Sequence, residues 1–204
     1  MLVFWTQRLV FLATPKTGTV ALEGALAPDA AMVFRDPPEM KHMPYRVYES
    51  FLKPRLDRMG GIGLETIAVM REPLDWLGSW YRYRARPALR GHPNSTADMS
   101  FDDFVAGYLA TPRPGFADVG CQSDFVADAT GQVAVDYLLP YEDPAAVTGF
   151  FARRLGRAVA PRRLNVSPEM ALPLSPRLAA AFRHHAARDL RLHARVRAGE
   201  MADP

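Results

Sequence analysis

Short apolar runs alternate with helix-spaced stretches along most of the chain. Leu9–Ala13 has the look of a buried strand, and Gly18–Leu26 then places Val20, Leu22 and Leu26 at helical spacing, ending near Pro28. Ala31–Phe34 is a second strand candidate. A proline-bearing loop, "RDPPEMKHMP", leads from it to a helix expected from Tyr45 to about Leu56, with a kink at Pro54. The third strand is Glu65–Met70, entered through Gly60, Gly61 and Gly63. Glu72-Pro73 opens a helix through Tyr83, since proline is well suited to a first helical turn. After a Pro-, Gly- and Ser-containing loop from Arg86 to Thr96, the pattern predicts a helix over Asp102–Leu109 and a strand over Gln132–Leu139. Helices over Asp143–Leu155 and Ser175–Val196 complete it. Strands alternating with helices predict one α/β domain over residues 1–204, with a central, mostly parallel sheet flanked by helices.

Composition narrows this picture only slightly. The chain has 204 residues, enough for a sizeable core, and a net charge of +3 that permits an anionic ligand. Its arginines are interleaved with acids and form no basic–aromatic stripe, so nucleic acid is not an expected partner. A single cysteine, Cys121, excludes an internal disulfide framework. The apolar N-terminal segment is broken at Gln7 and Arg8 and lacks a leader's basic start, and no run is long enough for a membrane span. A soluble, cytoplasmic protein is the expectation. Oligomeric state is not readable.

Lysine use is more informative. Of 25 basic residues only Lys16, Lys41 and Lys53 are lysines, and Lys16 sits in "PKTGT", between the first strand and the first helix. A strand, a glycine-containing turn and a helix N-terminus together hold anions, because the first helical N–H groups lack partners and the helix dipole favours negative charge. Lys16 adds a compact ammonium, Thr17 and Thr19 add hydroxyls, and Gly18 permits close approach. A plain surface turn is the other reading of this segment. The order is not that of an ATP-binding P-loop, where glycine precedes the lysine. A second element favours anion binding: Arg71 ends the third strand, and Ser79 follows two helical turns on. Both belong at the carboxyl edge of the sheet, where open α/β sheets bind ligands.

"PKTGT" after the first strand, with "REPLDWLGSWYRYR" after the third, resembles the sulfotransferases that use 3′-phosphoadenosine-5′-phosphosulfate (PAPS). The order "CQSDFVAD", "TGQVAVDYLLPYED", "RRLG", "LNVSP", "RDLRLH" is similar to bacterial and carbohydrate-sulfating members. The resemblance implies a P-loop-like PAPS-binding sulfotransferase fold. It also implies that Pro15, Lys16, Thr17, Gly18, Thr19 and Val20 cradle the 5′-phosphosulfate, while Arg71 and Ser79 bind the 3′-phosphate. Two departures stand out. Val20 replaces a Thr or Ser that many members carry, and no Arg-Lys-Gly loop is present. The implied reaction moves a sulfuryl group from PAPS to an acceptor hydroxyl, with carbohydrates one candidate class, and leaves 3′,5′-bisphosphoadenosine (PAP). Lys16 would stabilise the leaving bridging oxygen. No carboxylate pair is evidently arranged for Mg²⁺, so a metal-independent transfer is expected.

The acceptor hydroxyl needs a base. "EMKHMP" follows the second strand, and family members carry histidine or glutamate in that region. His42 is the first choice because imidazole titrates near neutrality, and Glu39 is the reserve. Lys41 either assists Lys16 or is solvated. Asn165 and Ser167 either touch ligand or turn the chain before Pro168. Of Trp76, Trp80, Tyr81 and Tyr83, most belong in the core and one or two on an acceptor cleft. His184, His185 and His193 read as a solvated helix face, with a metal site from His185 and His193 the weaker alternative. Two rival functions remain: a non-catalytic PAP- or PAPS-binding protein, and a P-loop-type nucleotide phosphotransferase.

Overall fold

The computed structural model describes residues 1–161 and 170–201. Its centre is a five-stranded mixed sheet in the order β3-β1-β2-β4-β5. β1 (Leu2–Phe4) and β2 (Leu9–Phe11) form an antiparallel hairpin, and β3 (Met32–Val33) pairs antiparallel with β1. β4 (Glu65–Met70) runs parallel to both β2 and β5 (Tyr137–Pro140). The parallel character is thus confined to β2, β4 and β5. The departure comes from the segment before Leu9. Gln7 and Arg8, which interrupt the apolar run, lie in the hairpin connection, where the Arg8 amide donates to the Trp5 carbonyl (3.3 Å).

Alternation along the strands divides the core in two. Val3, Val10, Leu12, Ala68, Met70 and Leu138 face one side, and Leu2, Phe4, Leu9, Phe11, Ile67, Val69 and Leu139 the other. The second side is covered by α1 (Thr19–Leu26) and, later in the chain, by the helix that begins at Pro144. After β3 come α2 (Pro38–Lys41) and a helical stretch over 45–61. This stretch comprises α3 (Tyr45–Val47), a π turn (Tyr48–Leu52), α4 (Lys53–Leu56) and a second π turn (Asp57–Gly61). Pro54 can return no hydrogen bond along the helix, and a wide π turn precedes it. Tyr48, Leu52 and Leu56 from this stretch cover the first side.

α5 (Pro73–Arg84) begins as its sequence predicts: Pro73 is in the first turn, and the Glu72 side chain accepts from the Asp75 amide (2.7 Å). α6 (Phe101–Leu109) starts in a capping box between Ser100 and Asp103. α7 (Gln122–Phe125) and α8 (Pro144–Leu155) follow, on either side of β5. The expected strand over Gln132–Leu139 is shorter, because only Tyr137–Pro140 reach β4. Val133 makes an isolated bridge to Ala127.

The long C-terminal helix is two helices, α9 (Pro176–His185) and α10 (Ala187–Arg197). They serve different cores. Phe182 of α9 packs with Trp76, Leu77, Tyr81, Phe104 and Tyr108 in a helical layer beside the sheet, whereas Leu192 and Val196 of α10 pack on the sheet. No helix among the described residues is long and apolar enough to cross a membrane.

Candidate anion-binding site

Three loops leave the carboxyl ends of the parallel strands β2, β4 and β5 and meet over the sheet. Arg71, immediately after β4, donates through its guanidinium to the Lys16 carbonyl (3.2 Å) and lies 4.5 Å from the Tyr141 ring, immediately after β5. Trp76 of α5 donates its indole N–H to the Pro15 carbonyl (2.9 Å). These contacts border a cleft of about 1360 Å³, whose wall includes Pro15 through Val20, Lys41, His42, Arg71 and Ser79. Every residue named for nucleotide binding therefore faces one space. Glu39 does not: it is exposed on α2, outside the cleft wall.

The first loop has the geometry of an anion nest. Lys16 (φ 67°) and Gly18 (φ 71°) both take left-handed backbone angles around Thr17, and α1 starts directly after Gly18. The amides of residues 16–20 find no acceptor among the described residues. Thr17 is buried and donates its hydroxyl to the Thr14 carbonyl (2.9 Å), which pins the turn. Only glycine suits position 18 well, since a Cβ there would approach the Tyr141 ring to 3.3 Å. Thr19 is buried and Val20 is exposed to the cleft, so position 20 presents an apolar side chain and a free N–H.

The cleft is strongly cationic. Among the described residues its wall carries Lys16, Arg35, Lys41, Arg71, Arg82 and Arg86 against Asp36 and Glu142. Arg35 and Lys41 share the Glu23 carboxylate (2.5 and 3.1 Å), and Arg71 and Arg82 share Asp75 (2.6 and 3.3 Å). Among the described residues Lys16 and Arg86 have no carboxylate partner within 4.0 Å. The Lys16 ammonium lies over Tyr83 (4.2 Å to the ring centre) and beside Trp80 (5.6 Å). Burial, with Arg86, Arg71 and Arg82 nearby, lowers its pKa to about 8. Trp76 and Tyr81 are core residues as expected, while Trp80 and Tyr83 line the cleft.

His42 closes the other end of the wall. Its Nδ1–H donates to the Ala13 carbonyl (2.6 Å), in the loop that follows β2, and this bond leaves Nε2 as the unprotonated acceptor nitrogen. Burial holds the imidazole below its ordinary pKa, the Ala13 bond acting against this and Lys41 with it. The ring is therefore neutral near pH 7. The histidine reaches this position from beyond the sheet's margin strand. β1 lies between β3 and β2, and it is the chain beyond β3 that returns the histidine to Ala13.

Several cleft residues were not read from the sequence: Tyr141, Glu142, Arg82 and Arg86. A signal existed for Tyr141, which follows β5 as Arg71 follows β4. His185 and His193 do not form a metal site, because His185 is bonded to Arg113 (2.9 Å) and His193 to Glu142 (3.0 Å). No group of three or more His, Cys, Asp or Glu among the described residues is placed to hold a metal ion. Asn165 and Ser167 lie outside the described residues. No protein-family model, curated protein sequence or solved structure matches the chain.

Proposed function

We propose that the protein is a PAPS-dependent sulfotransferase acting on an acceptor hydroxyl, built on a P-loop-like anion site. One observation carries this reading: a nest of free amides, a lysine, an arginine–serine pair and a neutral histidine base share a single cationic cleft. In the proposed reaction the acceptor oxygen attacks sulfur and its proton passes to Nε2 of His42. The bond between sulfur and the bridging oxygen breaks, and PAP departs carrying the added negative charge on that oxygen. Lys16 and the amides of residues 16–20 stabilise this charge as it develops. Arg71 and Ser79 hold the 3′-phosphate, which gives the site a reason to prefer PAP over simple 5′-nucleotides. The Ser79 hydroxyl suits this role, since it makes no hydrogen bond within the described residues.

Carbohydrates remain the acceptor class suggested by the resemblance, and Trp80 and Tyr83 offer ring faces for such a ligand. The deciding experiment is calorimetric titration with PAP, AMP and ATP, first in metal-free buffer and then with Mg²⁺. PAP is expected to bind at least tenfold more tightly than AMP, with ATP weaker than PAP. A preference for ATP that appears only with Mg²⁺ would replace this proposal with a phosphotransferase. Tight PAP binding without sulfation of any acceptor, from a protein indifferent to His42→Ala, would reduce it to a binding protein.

A further inference from the structure

Arg71 stands one residue beyond the last paired residue of β4, where no neighbouring strand satisfies its main chain. A side chain takes that place. Gln122, at the start of α7, accepts from the Arg71 amide through Oε1 (2.9 Å) and donates through Nε2 to the Arg71 carbonyl (2.8 Å). Its carboxamide thus imitates the next strand and pins both backbone groups of one residue. Gln122 is 1% exposed, so water does not compete for either bond.

Gln122 is itself held from behind. The Asp189 carboxylate of α10, 5% exposed, accepts from the Gln122 amide through Oδ2 and from the Ser123 amide through Oδ1, both at 3.0 Å. A buried carboxylate with two N–H donors has little freedom to move. The chain of contacts runs from α10 through α7 to the end of β4, and from there Arg71 reaches both Asp75 and the Lys16 carbonyl.

We infer that Gln122, fixed by Asp189, is a positioning residue that sets the guanidinium of Arg71 against its anionic ligand group. The inference rests on the reading of Arg71 as the 3′-phosphate ligand. Gln122 touches no ligand. It fixes where the arginine's main chain starts, and a small displacement there is carried along the whole side chain.

The test is the ratio of AMP to PAP dissociation constants, measured by calorimetry with thermal unfolding alongside. Gln122→Leu keeps the volume and removes both bonds; Gln122→Glu keeps the acceptor for the Arg71 amide and places an oxygen against the Arg71 carbonyl. Gln122→Leu is expected to weaken PAP about tenfold and AMP less than twofold, with Gln122→Glu intermediate. A merely structural glutamine would shift unfolding and leave the ratio unchanged. If Arg71→Ala loses the discrimination and both Gln122 variants keep it, the positioning role is overturned and the nucleotide site stands. If the unaltered protein ranks PAP no higher than AMP, both fall. Should Gln122→Leu fail to fold, Gln122→Glu gives the same readout.

Discussion

Lys16 carries two constraints at once. Its backbone is left-handed, which helps turn the neighbouring amides to one side, and its ammonium is lowered to about 8 by burial and by surrounding arginines. His42 is shifted downward as well, so its base form persists below the ordinary imidazole range. For the proposed sulfuryl transfer they together predict a bell-shaped pH dependence of kcat/KM. The acid limb should lie below pH 6.5, where His42 takes up a proton, and the alkaline limb near pH 8, where free Lys16 loses one. Bound anion raises the lysine's pKa, so the alkaline limb of kcat should lie above that of kcat/KM. A stopped-rate assay across pH 5–9 checks this (roughly two units either side of neutrality). Lys16→Arg should remove the alkaline limb at a reduced rate, and His42→Ala should remove transfer. A profile flat through pH 8 would separate Lys16 from the chemistry.

At the scale of elements, the turn from β2 into α1 shows what local sequence can and cannot reveal. Gly18→Ala is expected to destabilise the fold by about 1–2 kcal/mol, since alanine pays for the left-handed angle and its methyl presses on Tyr141. Urea unfolding measures that cost, and the same variant should bind PAP more weakly because the nest is disturbed. "PKTGT" and the Arg71–Ser79 spacing were legible because a turn and a helix impose their geometry within a few residues. Gln122 and Asp189 were not, since their contacts join residues far apart in sequence: Gln122 lies 51 positions from Arg71 and 67 from Asp189. The same limit explains β1. Its apolar run was visible, but only its pairing with both β2 and β3 makes it a central strand of the sheet. α9 and α10 share a helical period, and only their separate packing partners reveal the break at Ala186.

For the whole molecule, the floor of the cleft depends on the packing beneath it. Phe151 of α8 is fully buried against Phe4, Phe11 and Phe150, with ring centres 6.3, 5.4 and 5.6 Å away, and so joins α8 to β1 and β2. Phe151→Ala should cost about 3–5 kcal/mol, read as a lowered midpoint in chemical denaturation. Nucleotide affinity in the surviving folded fraction should change little, because Phe151 does not line the cleft. The layer order was legible as α/β alternation. The helical layer of α5, α6 and α9 beside the sheet was not, because its helices meet one another rather than the sheet.

The sheet's two margins have a bearing on how the protein behaves in a crowded solution. β3 is only two residues long, and after Phe34 the chain continues into charged Arg35 and Asp36. On the opposite margin, the Leu138 amide is already occupied by the Met201 carbonyl, and Pro140 has no N–H to offer. An exposed sheet edge recruits other chains by presenting a row of free amides. Among the described residues neither margin presents such a row, so the sheet is blunted against edge-to-edge aggregation at both ends.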